Sequence, residues 1–460
     1  MGKTVVLYPG FGVGHLTPMV QLAKLFVHHG VAVTVALVEP QFEPASFSAV
    51  VARAAATNPS VTFHVLPPPP APSQQDAAPR ERFGYLRLMD APLRDFLRSL
   101  PEVHALVLDM FCARSLDVAA ELGIPAYFFF ASCASFLAVF LNLPSVVANM
   151  DKSLAELGDS PLRLAVAPPT VKASDLPKVV LDSDEGTKAM LRMSEKIAES
   201  NGILINTFEP LEARAVRALR DGLCIPGGRP TPPVYCIGPL VTEGGDDKKH
   251  ECLEWLDTQP DKSVTFLSFG SMGTFSKKQL QEIAVGLEKS GQRFLWVVRS
   301  PRGDEQSIGD PLPEPDLDAL LPEGFLERTK GQGLVVKSWA PQVEVLGHRA
   351  TGAFVTHCGW NSTLEGIMAG LPLLCWPLYA EQRLNKVFIV EEMKLGVALR
   401  GFDEEVVKAE EVEAKVKWVM ESDGGRGLRE QAAAEKSKAV QALSEGGSSY
   451  AAFVEFLNNL

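Results

Sequence analysis

TVVLYPGFGVGHLTPMVQLAKLFVHHGVAVTVALV, residues 4–38, runs from an apolar strand through a glycine-rich turn into an amphipathic helix. The helix closes near Gly30 and a second apolar strand follows. The same order returns at residues 263–298, SVTFLSFGSMGTFSKKQLQEIAVGLEKSGQRFLWVV, where Gly291 stands near the helix end. Continuously apolar strands that alternate with helices predict βαβ units, hence a parallel sheet covered on both faces. Meeting the opening unit twice predicts an α/β chain of two Rossmann-like halves. Ligands are then expected at the carboxyl ends of the strands, in a cleft between the halves.

Length agrees, because 460 residues exceed what one hydrophobic core covers. Apolar residues at 46% and charged residues at 22% exclude a disordered or fibrous chain. A formal charge of −12 argues against a broad surface for nucleic acid or anionic membrane. Any anionic substrate must therefore be met by local dipoles and donors. The seven cysteines form no CxxC pair, which suits neither a disulfide framework nor a zinc site. The amino terminus makes a poor signal peptide. Ala126–Leu143 approaches the length of a membrane span, but Pro125 and Pro144 bracket it and no cation flanks it closely. It reads as a buried strand and helix. A cytoplasmic, monomeric protein without membrane insertion is expected.

Loops divide the chain: proline-rich Leu66–Pro79, Pro226–Pro233, and the polar stretch 241–251, which reads as the interdomain linker. The expected organisation is a first domain over 1–240, the linker 241–251, and a second domain over 252–443. A last helix, 444–460, is expected to pack back onto the first domain.

His15 lies where the first strand gives way to its helix, with glycines that permit close approach of a ligand. It reads either as a general base or as a neighbour of a helix cap without chemistry. Asp109 follows the apolar run HALVL at another strand end. It reads either as the partner that fixes the His15 tautomer or as a plain N-cap. In Trp339–Gln382, WAPQVEVLGHRATGAFVTHCGWNSTLEGIMAGLPLLCWPLYAEQ, a strand, a tight turn and a helix beginning at Ser362 bring His357, Asn361 and Ser362 to a helix N-terminus, a ready anion site. Against that, Ser362 and Glu365 form an ordinary S-x-x-E capping box. Trp339 reads as a core residue or as a platform for a base.

This 44-residue box resembles the signature of plant family 1 UDP-sugar glycosyltransferases, matching WAPQ, HCGWNS, the following Glu and the closing acid–Gln pair; GHLTPM, FGS and VLD match elsewhere. The resemblance implies a GT-B fold, with acceptor bound mainly by the first half and UDP-sugar by the second. It implies that Trp339 stacks on uracil, that Ala340 and Gln342 contact base and ribose, and that Glu365 takes the ribose hydroxyls. His357, Asn361, Ser362 and Ser271 would hold the diphosphate, and Trp360, Glu381 and Gln382 the sugar. The closing acid is Glu381 where the family more often has Asp. His15 would be the general base and Asp109 its partner.

The implied activity is inverting transfer of glucose from UDP-glucose, as co-substrate and without a metal or other cofactor, to a small phenolic or flavonoid hydroxyl. Gln382 goes with glucose rather than galactose donors in the resembling family. Its amide could pair two adjacent equatorial hydroxyls, or it could merely cap a turn. Phe111 and the aromatics Phe128–Phe130 and Phe136 suggest an apolar acceptor pocket or, equally, core. C- or N-glycosylation of a similar acceptor, or a nucleotide-sugar binding module without turnover, are the alternatives. A dinucleotide oxidoreductase fails because the third fingerprint glycine is missing. A metal-dependent transferase would need Asp182 and Asp184, which read as a solvated acidic turn.

Overall fold

The computed structural model describes residues 2–39, 44–69, 82–242, 244, 250–303, 306 and 311–460. The proline-rich excursion lies outside these from residue 70 to its end. So do positions 243 and 245–249 of the stretch read as the linker. The chain divides into two units, one of Met1–Pro169, Val179–Val241 and Ala442–Leu460, the other of Thr170–Lys178 and Thr242–Gln441.

The first unit carries β1 (Thr4–Tyr8), β2 (Ala32–Leu37), β3 (Thr62–Val65), β4 (Ala105–Asp109), β5 (Ala126–Phe130), β6 (Gly202–Ile205) and β7 (Val234–Cys236). Their order is β3-β2-β1-β4-β5-β6-β7, with every pairing parallel. The sequence of strands reverses direction between β1 and β4, which lie side by side with Tyr8 opposite Leu108. Loops leaving these two strands diverge to opposite faces, and the crevice between them is where this topology binds ligands. The apolar stretch from Ala126 forms β5 and then the helix Ala134–Ala148. The buried Glu212 carboxylate accepts from the Ala134 and Ser135 N–H groups at 2.9 Å each, so this helix start is satisfied inside the core. Phe128, Phe129 and Phe130 are wholly buried and Phe136 is nearly so, which makes them core rather than pocket wall. Among the described residues no helix is long and apolar enough to cross a membrane.

The helix Ser448–Asn458 belongs to the first unit. Phe453 and Phe456 are buried and meet Phe26 edge-on at 5.1 and 5.8 Å between ring centres; Phe456 also meets Tyr127 at 4.9 Å. Burial of each ring stabilises the attachment by about 1.5–3 kcal/mol.

The second unit carries β8 (Val264–Ser268), β9 (Arg293–Val298), β10 (Gly333–Lys337), β11 (Thr351–Thr356), β12 (Leu373–Cys375) and β13 (Gly396–Ala398). The order β10-β9-β8-β11-β12-β13 is again wholly parallel, and here the reversal falls between β8 and β11. Residues 170–178, read from the sequence as first-domain, belong to this unit instead. Lys386 Nζ bonds the nearly buried Asp175 at 3.3 Å, and Arg383 donates to the Ser174 carbonyl at 3.3 Å.

Asp182 and Asp184 are exposed, and Ser183 between them caps the helix Asp184–Ala198 by accepting from Gly186 N–H at 3.0 Å. The acidic triplet is thus a helix start. All seven cysteines are buried and unbridged.

Candidate active site

In the first unit the helix after β1 spans Val13–His28, so His15 stands in its first turn. Gly12, at φ 94°, makes the bend that an L side chain would resist. Gly10 is required for a different reason. A Cβ there would come within 2.5 Å of an Asp109 carboxylate oxygen.

Asp109, the last residue of β4, is fully buried. Its Oδ2 lies 2.7 Å from His15 Nδ1, while its Oδ1 accepts from Phe111 N–H at 2.9 Å. Each Asp109 oxygen thus has its own partner, the imidazole for one and a turn N–H for the other. Asp109 caps the 3₁₀ turn Met110–Ser115 and it holds the imidazole. A carboxylate on Nδ1 draws the proton to that nitrogen and assigns the basic lone pair to Nε2. His15 is one quarter exposed, and its ring lies 4.7 Å from that of Phe111. The polar dyad thus has an aromatic wall beside it.

In the second unit the carboxyl ends of β8, β9, β10, β11 and β12 each contribute groups. Trp339 follows β10 and is 53% exposed, which excludes the core reading. Ser338, at φ 62°, turns it outward, and the His250 ring stands edge-on at 5.7 Å. Ala340 is buried.

Gln342 is the hub of a hydrogen-bond chain. It accepts from Ser268 Oγ at 2.7 Å and donates to Ser362 Oγ at 2.9 Å and Glu365 Oε2 at 2.6 Å. The helix here begins at Trp360 with Gly359 as its cap, two residues earlier than the sequence reading placed it. Ser362 is thus the third helical residue and forms no capping box; it and Glu365 turn to Gln342 instead. Burial raises the Glu365 carboxyl to about 7, against the pull of the Gln342 hydrogen bond.

His357 directly follows β11 and is buried. A Cβ on either Gly270 or Gly359 would come within 2.5 Å of its Nε2, so two glycines clasp the ring. Its buried Nδ1 has no hydrogen-bond partner among the described residues. Burial and the Arg299 charge lower its pKa to about 4, which leaves the imidazole neutral at neutral pH. A helix's first backbone N–H groups point out of its N-terminus, and here they belong to Trp360, Asn361 and Ser362. Backbone N–H groups and a neutral imidazole gathered this way can receive an anion. Ser271 is exposed in the turn after β8.

Beyond β12, Glu381 caps the helix Gln382–Val387. Asn385 donates to Glu381 Oε1 at 3.4 Å and to the Cys358 carbonyl at 3.0 Å. Gln382 is buried, and its Oε1 accepts from both Leu378 and Tyr379 N–H groups at 2.9 Å. The side-chain oxygen is thus committed to the turn. The side chain also hydrogen-bonds the Tyr379 hydroxyl, so it does not hold the free donor and acceptor side by side that pairing two hydroxyls would need.

Of five non-glycine residues with positive φ among those described, Ser338, Cys358 and Ala380 adjoin Trp339, His357 and Glu381. Backbone strain of this kind gathers where a site must be held open. Sequence reasoning missed Ser268, His250, Arg299 and Tyr379. For Arg299 a signal existed, a lone charge at the end of an apolar strand. His250 carried none.

Known proteins resemble this chain in sequence and in fold. The family described as UDP-glucoronosyl and UDP-glucosyl transferase matches residues 193–425. An anthocyanidin 5,3-O-glucosyltransferase from a Rosa hybrid cultivar is 43% identical over 99% of this chain and 98% of its own. A phloretin 2'-O-glucosyltransferase of Pyrus communis is 41% identical over 100% of both. The solved structure of Phytolacca americana UGT2, complexed with UDP-2fluoro-glucose and pterostilbene, superposes with a TM-score of 0.88 at 35% identity, covering 100% of this chain and 99% of that one. The chain belongs to the plant family 1 UDP-sugar glycosyltransferases and has their GT-B fold, with two Rossmann-like parallel-sheet units.

Proposed function

We propose that this enzyme transfers glucose from UDP-glucose to a hydroxyl of a small phenolic or flavonoid-type acceptor, with inversion, His15 acting as general base. The observation that carries the reading is the 2.7 Å contact between His15 Nδ1 and the wholly buried Asp109. A phenol with a pKa near 10 needs a base to attack at neutral pH, and an imidazole backed by a carboxylate is suited to it. Nε2 takes the phenolic proton as the oxygen bonds to the anomeric carbon. The bond from that carbon to the UDP oxygen breaks, and the electron pair leaves with the diphosphate. Attack from the face opposite UDP turns an α-linked donor into a β-glucoside.

In the second unit, uracil stacks on the exposed Trp339, with the Ala340 backbone and Gln342 against base and ribose. Glu365 accepts the ribose hydroxyls. Asn361, Ser362, Ser271 and neutral His357 donate to the diphosphate, and the charge that develops there falls on the helix N-terminus. Trp360, Glu381 and Gln382 face the sugar, and Phe111 the acceptor. We assign no metal to the reaction, since donors and a helix dipole meet the diphosphate. A cytoplasmic monomer fits the composition. Relatives named for anthocyanidin and phloretin support the acceptor class.

The test is a panel of phenolic acceptors with UDP-glucose, with and without excess EDTA, read by mass spectrometry and by the anomeric proton coupling. A β-O-glucoside formed equally under both conditions is expected. Loss of product on chelation, restored by manganese, or an α product, would overturn the mechanism.

A further inference from the structure

Arg299 follows β9 directly, so it stands at the carboxyl end of the second sheet, one strand across β8 from His357. It is half-buried, and its Nη1 donates to the Ser271 carbonyl at 2.7 Å. Burial lowers its pKa, partly offset by Tyr379. Tyr379 in turn is hydrogen-bonded by the Met272 backbone, and its ring lies 6.0 Å from that of His357. Arg299, the Ser271–Met272 turn, His357 and Tyr379 thus form one cluster.

Two wants meet there. No carboxylate pairs with Arg299 among the described residues, in a chain with 56 acidic and 44 basic side chains. A cation drawn partly out of water is costly unless an anion compensates it. Its planar fork carries five N–H donors matched to phosphate oxygens, and the Ser271 carbonyl occupies one group. Beside it, the buried Nδ1 of His357 has no partner of its own. An anion seated at the carboxyl ends of β8, β9 and β11 answers both.

We infer that Arg299 binds the donor: it fixes the Ser271 turn through its carbonyl and pairs with a diphosphate oxygen of the UDP-sugar. This rests on reading the second unit as the UDP-sugar site. It places a full positive charge outside the signature box, just past the end of a strand the box does not reach, in a chain whose net charge is negative. The same guanidinium opposes protonation of His357, so the cluster presents one permanent cation and one neutral donor. As the bond from the anomeric carbon to the UDP oxygen breaks, the diphosphate gains charge and the guanidinium contact strengthens.

The test compares UDP with uridine, which lacks the phosphates, on the wild type, Arg299→Gln and Arg299→Lys. Calorimetry reads UDP and competition NMR reads uridine. Arg299→Gln is expected to weaken UDP by about tenfold to a hundredfold while uridine stays within about twofold. Arg299→Lys, which keeps charge without the fork, is expected to fall between. Unchanged UDP affinity in Arg299→Gln would overturn the inference. Parallel loss of UDP and uridine in both variants would also overturn it, leaving Arg299 as a prop for the turn. A wild type that binds neither ligand would instead sink the UDP-sugar reading itself.

Discussion

His15 and His357 occupy comparable places in the two units. Each follows a central parallel strand and stands within three residues of a helix start. Their surroundings are opposite. His15 is a quarter exposed and held by a buried carboxylate. His357 is buried and clasped by two glycines, and that burial, helped by a guanidinium charge, keeps it neutral down to a pH of about 4. In the proposed mechanism the carboxylate fits the first imidazole to accept a proton, because it stabilises the cation that forms. Burial, aided by the guanidinium charge, denies the second that role and leaves it neutral. Histidines at the carboxyl ends of strands beside the two switch points thus meet a carboxylate in one unit and a guanidinium charge in the other. The positive potential of the donor site is then expected from the helix at Trp360 and from Arg299 rather than from an imidazolium.

Removing the base should break this contrast most visibly. His15→Ala is expected to lower turnover of a phenol by about 10²–10⁴-fold, the usual worth of a positioned base. UDP affinity should stay within about twofold, because the nucleotide groups belong to the other unit. Steady-state rates and calorimetry on the same preparation check both halves. Near-wild-type turnover in the variant would remove His15 from the mechanism.

The repeated strand–turn–helix pattern made the two parallel sheets legible, since buried parallel strands are apolar throughout and each helix closes at a glycine. Motif positions at strand ends were legible for the same reason. Residues 170–178 were not, because the segment joins the second unit through Lys386 and Arg383, more than two hundred positions away. The start of the helix at Trp360 was misjudged because Ser362 and Glu365 satisfy a local capping rule, whereas Gln342 claims both side chains. Local rules lose to a polar partner brought in by the fold. Asp109 shows the converse: a carboxylate has two oxygens, so the local rule and the distant partner are met together.

The donor site holds a second opposition, which pH can expose. Glu365 is raised to about 7 from its ordinary 4.5, and His357 is lowered to about 4 from 6.5. Between about 4.5 and 7 the folded state holds more protons on Glu365 than the unfolded state does, so that contribution to stability falls as pH rises. Between about 4 and 6.5 the unfolded state holds more protons on His357, so that contribution rises with pH. Over the shared window the slopes oppose and largely cancel, though each spans on the order of 3 kcal/mol. Glu365→Gln should therefore gain stability relative to wild type as pH rises from 5 to 7, and His357→Asn should lose it. Urea unfolding across that range measures both differences, and variants whose slopes match the wild type would refute the assignment.

The smallest effect expected concerns the sugar. Gln382 Oε1 is occupied by the Leu378 and Tyr379 N–H groups and the side chain also bonds the Tyr379 hydroxyl, so on the proposed reading a single N–H is left to address the sugar. A single donor can reward one hydroxyl in the right place but cannot pair two neighbours, so its discrimination should be worth about 1 kcal/mol, one ordinary hydrogen bond. Glucose and galactose differ only in whether the 4-hydroxyl is equatorial or axial. The ratio of kcat/KM for UDP-glucose over UDP-galactose should accordingly fall about threefold to tenfold in Gln382→Ala. Gln382→Glu separates the two duties of the side chain. The carboxylate still accepts from the turn N–H groups but offers the sugar no donor, and its charge affects both donors alike. A similar fall in both variants would make the NH2 group the reader. A fall in Gln382→Ala alone would assign discrimination to the shape of the turn, and an unchanged ratio in both would leave Gln382 a cap and place the choice of sugar on Trp360 and Glu381.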